Sequence, residues 1–158
     1  MLTFKRSSNE SLAAEREILN ANPLFNRLSK DKEILSLADI EAEHREAEAA
    51  GAERYVMHMQ EHPAGILEYL MINPKDSCTW IGLLVIHGSH QGKGLARAAL
   101  KWFDDRMQAG GVVSHRLGVL EDNHPAHAFW RSQGASPVKP AVLPDGKPIL
   151  IYERNVQG

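Results

Sequence analysis

The chain has 158 residues, 43% of them hydrophobic, and a formal net charge of -2. That length suits one domain over residues 1–158 with a sizeable core, and that charge excludes a polycation that binds nucleic acid by bulk attraction. No stretch approaches the roughly 20 consecutive apolar residues of a membrane span, and residues 1–6 lead into polar sequence and not into an apolar leader; a cytoplasmic protein with no membrane partner is expected. Cys78 is the single cysteine. One chain therefore makes no disulfide and no thiolate cluster, and the place of Cys78 beside Asp76 and Ser77 points to a structural residue rather than a nucleophile.

Leu12, Glu15, Ile18 and Leu19 recur at helical spacing before Pro23, which predicts a helix over residues 11–20. Residues 24–37, with Phe25, Leu28, Ile34 and Leu35 apolar, fit either a second short helix or a packed loop. Residues 38–50 are rich in Ala and Glu, carry Ile40, His44 and Ala47 along one face, and meet a stop at Gly51. The glutamates between 41 and 48 suit a solvated helix face better than a site for a cationic acceptor.

From Arg54 the period changes to two. Tyr55, Met57 and Met59 alternate with Val56, His58 and Gln60, Pro63-Ala64-Gly65 is expected to turn the chain, and residues 65–72 resume as strand, so a hairpin is predicted. Residues 79–86 are almost wholly apolar and predict a strand buried on both faces at the centre of a sheet. Ala96, Ala99, Leu100, Phe103 and Met107 then mark one face of a helix that stops at Gly110-Gly111. Residues 116–120 read as a strand, 125–133 as a helix closed by Gly134, and 137–143 with 148–153 as a hairpin whose prolines confine it to an edge or to strand ends. The order predicts a mixed α/β sheet in which residues 79–120 form a right-handed βαβ crossover with two parallel strands side by side.

The junction inside that crossover is glycine-spaced and basic: His87-Gly-Ser-His-Gln-Gly-Lys-Gly-Leu-Ala-Arg97. A strand feeding such a turn into a helix aims unpaired N–H groups and the positive end of the helix dipole at one point, which suits a phosphate or pyrophosphate. Gly92 and Gly94 let a ligand approach the backbone, and Lys93 and Arg97 add cations. Lys93 is followed by Gly94 and not by Ser or Thr, and Arg97 stands where a dinucleotide fingerprint has its third glycine, so neither nucleotide loop fits. A plain strand-to-helix turn with surface glycines shares these features.

Gln91-x-x-Gly94-x-Ala96 resembles the Gln/Arg-x-x-Gly-x-Gly/Ala motif of the GNAT superfamily of acyl-CoA-dependent N-acetyltransferases. The stretch from Leu117 through Asn123, Ala126, Phe129 and Trp130 to Gly134-Ala135 resembles that family's strand, asparagine and helix, with Ala135 in place of the usual Phe. The likeness implies a mixed, mostly antiparallel six- or seven-stranded sheet with a splayed parallel strand pair and helices on both faces. Acetyl-CoA is then expected between the splayed strands. The resemblance implies that backbone groups of Leu84, Val85 and Ile86 bond its pantetheine arm, that amides of Gln91, Gly92, Lys93, Gly94, Leu95 and Ala96 hold its pyrophosphate beside Arg97, and that Asn123 and Trp130 line its path. No metal and no nucleic acid are implied. The acceptor is a small-molecule or peptide amine, and the protein a monomer or homodimer.

A neutral amine must lose a proton as it is acylated, and a donor must meet the oxyanion or the leaving thiolate. Trp130 occupies the position where many family members carry a tyrosine acid, and an indole N–H donates a hydrogen bond but is no acid near neutral pH. For the base, Glu68 is preferred, on the strand before the central one and in phase with Ile66 and Leu70, where apolar neighbours are expected to raise its basicity. His87 is the second candidate, Glu121 and His124 lie further out, and Tyr69 and Tyr152 are candidate acids. The other reading is a non-catalytic acyl-CoA-binding or sensing module. His58-x-x-Glu61-His62 spells an inverted zincin pattern, but its strand-like alternation argues against one helical face and hence against zinc.

Overall fold

The computed structural model describes all 158 residues. Chain order is β1 (Leu2–Arg6), α1 (Leu12–Asn20), α2 (Pro23–Lys30), α3 (Leu37–Ala50), β2 (Glu53–Met59), β3 (His62–Leu70), β4 (Trp80–Ile86), α4 (Leu95–Ala109), β5 (Ser114–Leu120), α5 (His124–Ser132), β6 (Ser136–Val142) and β7 (Pro148–Asn155). The strands form one seven-stranded sheet in the order β1-β2-β3-β4-β5-β7-β6. Every pairing is antiparallel except β4 with β5, so the expected parallel crossover is present, with α4 as its helix. No helix is long and apolar enough to cross a membrane.

Local chemistry explains the helix limits. Ser36 and Asp39 form a capping box at the start of α3, and Gly51 closes it in the left-handed conformation. Asn123 caps α5 by accepting from the Ala126 amide, with Pro125 in the first turn. Residues 24–37 divide into α2 and an extended return in which Leu35 is buried.

The sheet separates two apolar cores. On one face α4 packs Ala99, Leu100, Phe103 and Met107 against Met57, Leu67, Ile81 and Leu117, with Trp130 from α5. On the other, Ile18, Leu19 and Ile40 of α1 and α3 cover Val56, Ile66 and Val85. Each fully buried side chain of this kind contributes about 1.5–3 kcal/mol.

Three expectations are corrected. Strand β1 has no counterpart in the sequence reading, because residues 2–6 carry only two apolar side chains; its position comes from pairing with β2 and from Phe4 stacking on Trp102 at 4.1 Å. The β2–β3 turn falls at Gln60-Glu61, with Gln60 at φ 56, and Pro63-Ala64-Gly65 is strand; a register shift between Met57 and His58 accommodates Pro63 opposite His58. Strand β4 is not buried throughout: Ile81 and Val85 are, whereas Gly82 is exposed and Leu83 and Leu84 are half-buried. The cause is its departure from β5, described next.

Candidate functional site

β4 and β5 pair only at Trp80 with Arg116 and Ile81 with Leu117. Beyond that point they diverge, so the facing backbone groups from Gly82 and Gly118 onward have no strand partner. A cleft of about 120 Å³ opens there, walled by Leu83 and Leu84 on one side, Val119 and Leu120 on the other, and Asn123 and Trp130 from the α5 end. Leu84, Asn123 and Trp130 of the sequence candidates thus line one space. The Val85 side chain does not, being buried under α1 and α3. The Ile86 carbonyl is taken by the side-chain amides of Asn22 and Gln91, each at 3.0 Å.

Past the C-terminal end of β4 the chain turns into α4. Gly92 and Gly94 adopt φ 78 and φ 79, values that non-glycine residues rarely hold. The first backbone N–H of α4 with a partner in the chain is that of Ala98, bonded to Gly94 O, and Gly94 at the N-cap position supplies no side-chain acceptor. Six successive amides, Gly92 to Arg97, therefore have no acceptor in the chain, at the positive end of a fifteen-residue helix. Lys93 and Arg97 are exposed beside them. Partial desolvation, then repulsion from Lys93, His87 and His62, lowers the pKa of His90, with Glu17 opposing. A pyrophosphate fits this donor set. Gln91 has a different part: its side chain bonds Asn22 Oδ1 at 2.8 Å and so ties the loop to the α1–α2 corner.

On the α1–α3 face lies a larger cavity of about 760 Å³, between α2, α3, the β2–β4 sheet and the β6–β7 turn. Phe25, Gly82 and Leu83 line both the cavity and the cleft, so the two spaces meet at β4. Gly82 is the extra residue of a bulge, since Glu68 pairs with Leu83 and Tyr69 with Ile81. A side chain there would project toward Glu68: an added Cβ would lie 3.4 Å from Glu68 Oε2. Glutamates 43, 46 and 68 and Asp145 face Lys30 and Arg54 around the cavity, four carboxylates against two cations. Lys147, past the hairpin tip, reaches Asp31 at 2.6 Å and draws the β6–β7 turn against the end of α2.

Glu68 does not have the apolar surroundings expected of it. Its Oε1 accepts from Arg54 Nη1 at 3.0 Å, because β2 places Arg54 directly opposite Glu68 on β3. Arg54, 5% exposed, is held on two further edges: Nε donates to Glu15 Oε1 at 2.7 Å and Nη2 to Glu43 Oε1 at 3.1 Å. Glu15 is wholly buried, and its other oxygen accepts from Ser7, Ser11 and His44 at 2.6–2.8 Å. Burial pushes the Glu15 pKa up, but Arg54 and these hydrogen bonds override it and hold the carboxyl below its usual range.

The other titratable candidates lie elsewhere. His87 accepts from the Ser89 amide through Nδ1 and faces Glu17 at 3.2 Å through Nε2, in the turn after β4. Tyr69 points to the α4 side, where it donates to Glu53 and burial pushes its pKa up to about 12. Tyr152 is fully buried. His127 Nε2 donates to the carbonyls of Leu120 and Glu121, so its Nδ1 accepts from the Tyr152 hydroxyl at 2.7 Å. Glu121 and His124 line a separate groove beside β6. His58 and His62 fall on two strands of a hairpin and not on a helix. The sequence reading missed Arg54, Glu15, Glu43 and Gly82; the one available signal was Arg54 itself, an arginine in phase with core-facing Val56.

The sequence matches the acetyltransferase (GNAT) family over residues 16–135. Among solved structures, an acetyltransferase from Thermus thermophilus is similar with a TM-score of 0.85 at 24% identity, covering 98% of this chain and 97% of that one. An acetyl transferase from Salmonella typhimurium that modifies the N-terminal serine of a 50S ribosomal subunit protein is similar at 0.80 and 17% identity, covering 99% and 95%. Spermidine N-acetyltransferase from Vibrio cholerae, in complex with CoA and spermine, is similar at 0.74 and 19% identity, covering 98% and 95%. No curated protein sequence matches the chain.

Proposed function

Because the chain belongs to the acetyltransferase (GNAT) family, we propose that it moves an acetyl group from acetyl-CoA to an amine held in the cavity beside Glu68. This reading rests on one observation: the cleft between β4 and β5 and the acid-lined cavity meet at Gly82, where Glu68 Oε2 has no partner in the chain. A module that only sensed acyl-CoA has no need of a second cavity at that point.

The residues present fit the cosubstrate. The amides of Gly92 to Arg97, with Lys93 and Arg97, would hold the pyrophosphate, and the cleft walls at Leu84, Asn123 and Trp130 would take the pantetheine arm. When bound, it supplies an activated acyl carbon and a thiolate leaving group. The carboxylate excess draws a cationic amine into the cavity, in keeping with the spermine held by the Vibrio cholerae neighbour. The bound ammonium first gives one proton to solvent, which frees its lone pair, and Glu68 Oε2 accepts the second proton, directly or through one water, as the new N–C bond forms and the C–S bond breaks. Backbone N–H groups freed where β4 leaves β5 would stabilise negative charge on the carbonyl oxygen. Solvent returns a proton to the leaving thiolate, since Tyr152 is buried against His127 and Tyr69 lies on the opposite face.

Thiol release from acetyl-CoA in the presence of 1,4-diaminobutane, spermidine and a serine-initiated tetrapeptide tests the proposal. Turnover above thioester hydrolysis with at least one of them is expected. Acetyl-CoA should also raise the melting temperature through ligand linkage. A thermal shift without any amine-dependent turnover would convert the protein into a binding module.

A further inference from the structure

We propose that Arg54 is a positioning residue for this reaction, holding Glu68 by one carboxylate oxygen so that the other is presented where the cofactor cleft and the acceptor cavity meet. The inference rests on Glu68 acting as the base. A glutamate side chain has three rotatable bonds, and one facing a cavity of this size samples several orientations unless something anchors it. Arg54 is suited to anchor it because the guanidinium is itself immobilised. Its Nε, Nη1 and Nη2 each bond a different carboxylate, at 2.7, 3.0 and 3.1 Å, from α1, β3 and α3.

Two of those carboxylates set the fork and the third is aimed by it. Glu15 is fully buried and tied by Ser7, Ser11 and His44, and Glu43 is only 13% exposed, whereas Glu68 alone borders Gly82. A lysine cannot reproduce this arrangement: its ammonium is a point charge on a flexible stem, and it lacks the planar fork that meets three acceptors in fixed directions. A merely structural salt bridge would satisfy the charges without leaving one oxygen of a single member free at the junction. Misplacing a reacting group by about 1 Å costs on the order of 100-fold in rate.

The test is a double-mutant cycle on kcat, with the amine among 1,4-diaminobutane, spermidine and a serine-initiated tetrapeptide that the wild type acetylates fastest. Arg54→Lys should lower kcat about 10- to 100-fold with KM for acetyl-CoA within about twofold. In a Glu68→Gln background the same change should have almost no further effect on kcat, because residues acting as a unit are non-additive. Glu43→Gln, which removes one anchor at the cavity edge and leaves Arg54 paired with Glu15 and Glu68, gives the same pattern on a smaller scale and serves if Arg54→Lys fails to fold. Undiminished kcat in Arg54→Lys, or in Glu43→Gln where Arg54→Lys does not fold, or a full additional loss in the Glu68→Gln background, overturns the positioning role and leaves acetyl transfer standing. A wild type that acetylates none of the three amines overturns both.

Discussion

The molecule buries two arginines, and they are treated in opposite ways. Arg154 on β7 is 3% exposed and meets a single carboxylate, Asp104 of α4, through two hydrogen bonds of 2.8 Å; its Nε bonds the Gln133 carbonyl and its Nη1 also donates to His115. Charge there is balanced one to one, and the group is sealed between α4, β5 and β7. Arg54 is as deeply buried but serves three carboxylates, two of which border the cavity. The first arrangement ends at its own partners. The second keeps surplus negative charge and one free carboxylate oxygen against a space that a ligand can enter. A buried ion pair is therefore read by its stoichiometry and by what its outermost member faces, because burial alone is common to both.

If the contrast is right, the two sites fail by different readouts. Asp104→Ala strands the Arg154 charge in the interior and should cost about 3–5 kcal/mol of stability in urea unfolding, with kcat per folded molecule unchanged. Loss of activity at full occupancy of the folded state would break the distinction. Glu68→Gln should do the reverse: about a 100-fold fall in kcat, an acetyl-CoA-induced melting shift equal to wild type, and little change in stability.

His115 sharpens the sealed side. Burial, with Arg154 repulsion next, lowers its pKa to about 4 from the ordinary 6.5, with Asp104 opposing. The unfolded chain then binds the proton more readily than the fold does, so stability is fully present above pH 6.5 and is lost as pH falls toward 4. The loss is on the order of 2–3 kcal/mol across that window. His115→Leu should flatten the slope of unfolding free energy against pH there; an unchanged slope would remove His115 as its source. The smallest effect belongs to Lys147→Ala at the exposed hairpin tip, which should leave the unfolding midpoint unchanged and raise KM for the acceptor a few-fold by loosening the β6–β7 turn over the cavity.

Much of the conformation of the loop at residues 92–97 and of the α5 start was legible in the chain because its determinants are local. A glycine that must take a positive φ, a helix start without a side-chain cap, and an asparagine before His124-Pro125 all act within a few residues of themselves. The alternation that placed β2 and the helical faces of α1, α3 and α4 is local in the same sense. The cavity beside Glu68 was only half legible. Glu68 could be chosen by its strand phase, but its real neighbour, Arg54, is set by the hairpin register, which the sequence reading had placed around the wrong turn.

By itself, then, the sequence determined the helices α1, α3, α4 and α5, the approximate course of most strands after β1, and the glycine-spaced segment whose amides lack acceptors, since backbone sterics and hydrophobic periodicity are properties of short stretches. Only the tertiary structure decided that β4 parts from β5 after Ile81, that a bulge sets Gly82 beside Glu68, and that Glu15, Glu43 and Glu68 share one guanidinium. Those relations join residues 11 to 53 positions apart in the chain, and they exist only once two apolar faces of the sheet have been buried and the charged groups between them have found partners within hydrogen-bond reach.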